Sequence, residues 1–177
     1  MNLEELQTRI KAGETFDYLF FWGHTAHGTI TKACFSQWYP AEFKVDGVVY
    51  PTAEHWMMAE KARLFEDDHT LAAILATDKP DVAKKLGRKV SPFDAQKWDE
   101  RRYDAVVEGN VHKFGQHAEL RDFLMSTGDQ VLVEASPYDK IWGIGMGDKD
   151  PRATSPLTWD GLNLLGFALM DVRDQLR

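Results

Sequence analysis

An α+β fold is predicted from the sequence, as a single, mostly helical domain with a few short strands. The chain has 177 residues, which is enough for one domain with a real hydrophobic core and hardly enough for two. Most of it carries the apolar spacing of amphipathic helices, and only short segments have the character of strands. The chain has no internal repeat, linker or low-complexity tract, which also favours one domain.

The first half of the chain is predicted to alternate between helices and short extended segments. In order, these are a helix over 2–12, a strand over 16–22, a loop over 23–29, a hairpin over 43–50, a helix over 52–65, a helical continuation over 69–76 and a helix over 80–87. Gly13 is a typical helix stop, and Asp46-Gly47 is a strong hairpin signal. Thr52 is a typical N-cap residue, Pro80 suits the first position of a helix, and Gly87 suits its end.

The second half is predicted to be helical around one strand and one long loop. In order, these are helices over 94–116 and 118–128, a strand over 130–136, a loop rich in Gly and Pro over 137–156, and a closing amphipathic helix over 161–177. Gly128 ends the second of these helices, and the strand has the period-two alternation of a β-strand.

The composition narrows the class of function. Asp and Glu number 28 against 21 Lys and Arg, a net charge of −7, so binding to the backbone of bulk nucleic acid is not expected. A small pocket for a phosphate or a nucleotide remains compatible with this charge. No run approaches the roughly 20 apolar residues of a membrane span. A single cysteine, Cys34, and an N-terminus unlike a signal peptide predict a cytoplasmic protein.

The helix over 52–65 carries two charged residues along an otherwise apolar stripe. Glu54 and Lys61 are seven residues apart, so they are offset by only about 20° around the helix and by about 10 Å along it. Both side chains can therefore face one cleft. The alternative is a solvated stripe, in which Glu54 is favourable simply because it lies near a helix N-terminus. Glu60 fits neither side of the helix, and the sequence around it does not explain its role.

The loop over 137–156 is the second candidate region. It combines an acid, Asp139, and an indole, Trp142, with a run of glycines that includes Gly143. Glycines allow a ligand to approach the backbone closely and to meet its N–H groups, so this pattern indicates a site. The alternative is a flexible surface turn, with Trp142 folded into the core.

Three further residues are weaker candidates for binding. Trp98 lies in a helical pattern, where a tryptophan is more often part of the core than a stacking platform. Arg88 and Lys89 follow a helix stop and could hold a phosphate, although a solvated basic turn is the commoner interpretation.

A metal site and the common cofactor or nucleophile motifs are not indicated. His24 and His27 lie three apart with Cys34 nearby, but zinc requires three or four ligands in a supporting geometry. The sequence has no HExxH, CxxC, Walker, GxGxxG or GxSxG pattern. We therefore expect neither a metal nor a cofactor.

Four ordered segments of the chain resemble the NADAR family of YbiA-like proteins. The segments are FSQWYPAEFKVDGVVYPTAEHWMMAEKARLF (35–65), AKKLGRKV (83–90) with KWDERRYDAV (97–106), KFGQHAELRDFLMSTGDQVLVEASPYDKIWGIG (113–145), and GLNLLGFALMDVRDQL (161–176). The resemblance covers residues 18–177 and leaves residues 1–17 as an N-terminal helical extension. Gln37-Trp38 stand where the family commonly has Asn-Phe, and the loop after Met146 is longer than in its shortest members. These departures bear on the substrate rather than on the fold.

The resemblance implies N-glycosidase activity. Family members look like hydrolases of phosphoribosylamino-pyrimidine intermediates of riboflavin biosynthesis, and others resemble enzymes that remove ADP-ribose from guanine. By this resemblance Glu54, Trp98 and Asp139 are functional positions, and Lys61 is a candidate catalytic lysine. The expected partner is a small phosphoribosyl or ADP-ribosyl substrate, and the oligomeric state stays open.

Two routes to cleavage remain open from the residues. Glu54 and Asp139 could divide acid and base roles around the C1′–N bond, or Lys61 could attack C1′ to form a Schiff base while Glu54 moves protons. Trp98 or Trp142 would stack on the base, and Arg88, Lys89 or loop N–H groups would hold phosphate. A non-catalytic sensor of ADP-ribose or NAD is the rival from another functional class.

Overall fold

The computed structural model describes residues 1–177 and contains seven α-helices, four short strands and three 3-10 helices. The α-helices are α1 (Leu3–Lys11), α2 (Ala53–Leu64), α3 (Asp68–Ala76), α4 (Pro80–Gly87), α5 (Ala95–Gln116), α6 (Ala118–Ser126) and α7 (Leu164–Leu176). The strands are β1 (Tyr18–Phe21), β2 (Phe43–Val45), β3 (Val48–Tyr50) and β4 (Val131–Glu134). The predicted α+β class is therefore confirmed, and each predicted helix and strand is present. The 3-10 helices at 32–35, 151–154 and 156–158 were not predicted.

The local signals act as expected at several element ends. The hairpin between β2 and β3 turns at Asp46 and Gly47, which both have positive φ (49° and 83°). Such a turn matches the twist of the flanking strands. Thr52 caps α2 by accepting the N–H of His55, and Pro80 opens α4. The helical pattern does not run on from α2 into α3, because Glu66 adopts a left-handed φ of 55° between them.

The strands form two separate sheets of two strands each. β2 and β3 pair antiparallel, whereas β1 and β4 pair parallel although about 110 residues of chain separate them. The pairing sets Phe21 opposite Glu134. Because the strands are parallel, both carboxyl ends lie at the same edge, and the segments that follow each strand leave from there.

Helix α2 lies at the centre of the molecule and packs against α3, α4 and α5. Glycines allow two of these close contacts. A Cβ on Gly87 of α4 would come within 1.9 Å of the Met58 sulfur, and one on Gly109 of α5 within 2.4 Å of the Trp56 ring. Eight consecutive residues from Thr52 to Ala59 are buried, so α2 is enclosed on almost all sides at its N-terminal end. The helix carries apolar residues on two sides, as expected for a helix that is well buried.

The segment predicted as an N-terminal extension packs onto the rest of the chain. Leu6 of α1 is fully buried, and the Gln7 side-chain amide donates to the carbonyl oxygen of Pro156 at 2.9 Å. Across the molecule, none of the helices combines the length and the apolar character needed to cross a membrane.

Candidate active site

Glu54 lies in the first turn of α2 and is 5% exposed. Its backbone N–H donates to the carbonyl oxygen of Gln37 at 2.9 Å, which fixes the residue at the helix end. Its carboxyl group, in contrast, takes no hydrogen bond or ion pair from the protein. Burial raises the pKa of this carboxyl to about 7, since the charged form has lost most of its water. Glu54 therefore exchanges a proton near neutral pH.

Charged neighbours shift the pKa of Glu54 in both directions. Lys84 and Arg88, from the end of α4, lower its pKa, whereas the negative charge of Asp139 raises it. These groups reach Glu54 from two distant parts of the chain, and burial outweighs all of them. The structure thus brings together Glu54, Asp139 and Arg88 from the sequence prediction, and it adds Lys84.

Asp139 is held in the loop that follows β4. One carboxylate oxygen, Oδ1, accepts the N–H groups of both Ile141 and Trp142 at 2.8 Å. Asp139 therefore orders its own loop, and its second oxygen makes no hydrogen bond within the protein. Gly143 lies behind it, where a Cβ would meet the carbonyl oxygens of Glu134 and Asp139 at 2.9 and 3.0 Å. The space at Gly143 is occupied by backbone of this same loop, so the glycine serves the loop's close packing.

A third carboxyl group, Glu134 at the end of β4, belongs to this cluster. Its Oε2 atom is enclosed and has no hydrogen-bond partner. Burial, together with the charges of Asp139 and Glu54, raises its pKa to about 8, while Lys84 opposes the shift. The cluster consists of three carboxyl groups, Glu54, Glu134 and Asp139, beside the cation Lys84.

Lys61 lies two turns along α2 from Glu54 and is partly buried among aromatic rings. Its Nζ is 4.6 Å from the centroid of the Phe93 ring and 5.8 Å from that of Trp98. Burial lowers its pKa, and the positive charge of Arg88 adds to the effect. Arg88 thus acts electrostatically on both Lys61 and Glu54, so it lies within range of each. No hydrogen bond or ion pair occupies the Lys61 amine.

The predicted tryptophans differ in their accessibility. Trp98 is only 7% exposed and belongs to the core cluster, with its ring beside Lys61. Trp142 is partly buried and packs against that core. The most exposed rings near the cluster are instead Trp22 and Tyr138, whose centroids lie 6.0 Å apart. They follow the carboxyl ends of β1 and β4, and Tyr138 directly precedes Asp139.

The basic groups on α4 and beyond it are exposed to different degrees. Lys84 is partly buried, with its Nζ 5.9 Å from the centroid of the Trp38 ring, whereas Arg88 and Lys89 are exposed. Lys84 and Arg88 are four residues apart and therefore share a helix face. This spacing is the sequence signal for Lys84, which was not among the predicted site residues. Glu134 was missed because a strand residue was expected there, although a carboxylate that ends an apolar strand beside a candidate loop is itself a signal.

A buried lysine on α5 fixes the segment that holds Glu54. Lys113 is fully buried, and its Nζ donates to the carbonyl oxygens of Cys34 and Ser36 at 2.6 and 3.0 Å. Burial lowers its pKa to about 7. The next carbonyl along, that of Gln37, accepts the Glu54 N–H. Lys113 therefore orders the chain immediately before the group that contacts Glu54.

No group of three or more His, Cys, Asp or Glu side chains is arranged to hold a metal ion.

A cavity of about 540 Å³ lies at the far end of the β1–β4 pair, where its lining includes Asp17, Gln130 and Arg173. It shares no residue with the carboxyl cluster, so we place the candidate site at the opposite, carboxyl ends of these strands.

Comparisons with known proteins extend over nearly the whole chain. A family model described as the NADAR domain matches residues 20–177. N-glycosidase R617 of Acanthamoeba polyphaga mimivirus is 41% identical over 167 residues, which cover 92% of this chain and 98% of the relative. N-glycosidase YbiA of Escherichia coli (strain K12) is 34% identical over 142 residues, which cover 80% of each protein. The NMR structure of E. coli YbiA superposes with a TM-score of 0.72 at 30% identity, covering 92% of this chain and 87% of that one.

Proposed function

The chain belongs to the NADAR domain family, and from this premise we propose that it hydrolyses the C1′–N bond of phosphoribosylamino-pyrimidine intermediates of riboflavin biosynthesis, releasing ribose 5-phosphate. The class of activity, hydrolysis of an N-glycosyl bond, is that of the relatives named N-glycosidase. One observation in the structure carries the proposal. Glu54 is a buried carboxyl that nothing in the protein pairs, beside a second acid and two cations.

The chemistry of the reaction calls for such a group. Cleavage of the C1′–N bond builds positive charge at C1′ and negative charge on the departing nitrogen, and water must lose a proton as it adds to C1′. A carboxyl whose pKa is about 7 can accept that proton at neutral pH and release it again. Asp139, whose second oxygen is free, would stabilise the charge at C1′.

The cations at the end of α4 suit the phosphate end of such a substrate. Arg88 and Lys89 are exposed and make no ion pair within the protein, and Lys84 lies closer to the carboxyl groups. They supply local positive charge on a chain of net charge −7. A guanidinium can bind phosphate through two parallel hydrogen bonds, so Arg88 is the stronger candidate of the exposed pair.

The planar leaving group requires an aromatic surface. Trp142 offers a partly exposed ring one turn of loop beyond Asp139, and Trp98 offers only an edge of its ring because most of it is buried. Stacking on a rigid indole orients a base at little cost in conformational entropy. Of the two predicted stacking residues, we therefore favour Trp142.

The Schiff-base route remains the alternative mechanism for the same reaction. Lys61 has a lowered pKa and an unpaired amine, two conditions for a nucleophilic lysine. In this route the amine attacks C1′ of the ring-opened imine, the pyrimidine amine leaves, and water then releases the sugar. Glu54 would move the protons in both routes, so its importance does not depend on the choice between them.

A second substrate class is favoured by a specific feature of the surface. Trp22 and Tyr138 are 56% and 85% exposed and form an aromatic pair next to Asp139. A larger substrate with a second planar group could stack there, and ADP-ribose attached to guanine is such a substrate.

The cytoplasm is the proposed setting, and it is supported by the lone, buried free thiol of Cys34.

The test is sugar release, followed by mass spectrometry. Wild-type protein and Glu54→Gln are incubated separately with a phosphoribosylamino-pyrimidine and with ADP-ribosylated guanosine. Release of ribose 5-phosphate by the wild type alone supports the proposed function, and release of ADP-ribose instead supports the second substrate class. If neither sugar is released while ligand still binds, the protein is a sensor and the enzyme proposal fails.

A further inference from the structure

Glu134 is a largely buried acid that the proposed reaction leaves without a role. It is the last residue of β4, and it lies opposite Phe21 at the edge where the candidate site begins. Its Oε2 atom is one of only four enclosed side-chain polar atoms without a hydrogen-bond partner. Burying a carboxyl oxygen without a partner is costly, so a native structure that does so requires an explanation.

The backbone of Glu134 is held on both sides. Its N–H donates to Oδ1 of Asn163 at 2.9 Å, and its carbonyl oxygen accepts the N–H of Ile144 at 2.9 Å. Asn163 is fully buried and is itself fixed, because its Nδ2 donates to the carbonyl oxygen of Leu132. Two neighbouring segments therefore fix the backbone that carries the Glu134 side chain, which favours a preorganised group at this position.

The surroundings of Glu134 favour its neutral form. The groups that act on it are the acids Asp139 and Glu54 and the cation Lys84, and burial has the largest effect. Together they raise its pKa to about 8, so most molecules carry a proton on Glu134 at neutral pH. The residue as a whole is only partly buried, and its Oε1 atom, which makes no hydrogen bond within the protein, is not enclosed as Oε2 is.

We propose that Glu134 is a further catalytic residue, the acid that protonates the departing nitrogen, while Glu54 takes the proton from water. The inference rests on the proposed N-glycosidase function and deepens it. It divides the two proton transfers between two carboxyl groups that share one site but differ in environment, a recurring arrangement in hydrolases of glycosidic bonds.

The proton balance of the step closes within the cluster. As the C1′–N bond breaks, its electron pair goes to nitrogen, and the Glu134 carboxylic acid gives that nitrogen its proton. Water adds to C1′ and loses a proton to the Glu54 carboxylate. Glu134 is then ionised and Glu54 is protonated, so transfer of one proton from Glu54 to Glu134 restores the starting state without any other reactant.

The test is the pH dependence of sugar release by wild type, Glu134→Gln, Glu134→Asp and the control Glu60→Gln. The control makes the same substitution at a glutamate that is paired with arginines, on the side of α2 that faces α5. We expect a bell-shaped profile for the wild type, with a loss of rate above about pH 8. Glu134→Gln should lose about 10²- to 10⁴-fold in kcat, the usual contribution of general acid catalysis. Its residual rate should no longer fall above pH 8.

Each outcome decides the proposal. Near-normal activity of Glu134→Gln, or a residual rate that keeps the wild-type alkaline limb, overturns the acid role. If Glu134→Gln does not fold, as checked by circular dichroism, Glu134→Asp decides. A displaced alkaline limb in that variant supports the role, and an unchanged limb overturns it. Absence of sugar release by the wild type is a different result, because it removes the proposed function itself.

Discussion

The two ends of helix α2 carry glutamates in opposite situations. Glu54, at the N-terminal end, is buried and has no partner for its carboxyl group. Glu60, six residues later, forms ion pairs with Arg63 and Arg101, both at 2.9 Å. Arg101 also pairs with Glu108, so Glu60 belongs to a network on the side of the helix that faces α5.

The difference shows which of the two carboxylates contributes to the stability of the fold. A paired glutamate contributes modestly to stability and is already engaged. An unpaired buried carboxyl destabilises the fold when it is ionised, and it stays available to a ligand. The Glu60 network also accounts for the residue that the helical pattern could not explain, since one of its partners, Arg101, lies 41 residues further along the chain.

The largest effect that separates the two ends should be on catalysis. We expect Glu54→Gln to lower kcat for sugar release by about 10²- to 10⁴-fold, because the amide cannot transfer the proton. Glu60→Gln should stay within about threefold of wild type, since it touches only the ion-pair network. Equal losses of kcat in the two variants would show that Glu54 has no catalytic role that Glu60 lacks.

The second prediction concerns the amine beyond Glu54 on the same helix. If the Schiff-base route operates, borohydride under turnover should trap a sugar adduct on Lys61, and Lys61→Met should form none. Lys85→Met is the matched control, because that lysine is exposed and paired with Asp81. Peptide mass spectrometry locates the adduct. A wild type that turns over without any trapped adduct leaves direct hydrolysis as the mechanism.

The third prediction is a stability difference with a defined pH dependence. The pKa of Glu54 rises from 4.5 to about 7 on folding, so the folded state binds the proton more tightly than the unfolded state. Its contribution is therefore neutral below pH 4.5, becomes unfavourable as pH rises to 7, and costs roughly 3 kcal/mol above that. Glu54→Gln should consequently gain up to about that amount at pH 8 and little at pH 4.5, as measured by urea unfolding. A gain that is equal at both pH values would contradict the burial argument.

The smallest effect is expected at the other end of the helix. Glu60→Gln should lower the free energy of unfolding by about 1 kcal/mol, because the pairs are partly exposed. The loss should shrink in high salt, which screens such pairs. Arg101→Met should behave in the same way. Loss of more than a few kcal/mol in either variant would mean that this network is far more central than its exposure indicates.

The fold followed from the sequence wherever the cause was local. The cap at Thr52, the start of α4 at Pro80 and the hairpin turn at Asp46-Gly47 depend on a few adjacent residues, and the structure confirms them. The break between α2 and α3 could not be predicted from the sequence, because the apolar spacing continues through it. It depends on the unusual backbone of Glu66.

The residues of the candidate site could be predicted from the sequence only where they stand together in one helix or one loop. Glu54 and Asp139 stood out within their own segments, whereas the burial of Glu134 is a tertiary property of a strand, β4, that pairs in parallel with β1. That pairing joins strands about 110 residues apart, which no local pattern encodes. The burial of Glu54 is likewise a tertiary property, because α2 is covered by other helices, among them α4, whose Gly87 packs beside Met58.

A carbon-13 titration of the glutamate carboxyl groups in the folded protein decides whether Glu54 can exchange a proton near neutral pH. The Glu54 signal is assigned by its loss in Glu54→Gln. We expect a midpoint close to pH 7, because the carboxyl group is buried without a partner. A midpoint near the ordinary value of 4.5 would mean that Glu54 is solvated or paired, and it would contradict the assignment of this end of the helix to catalysis.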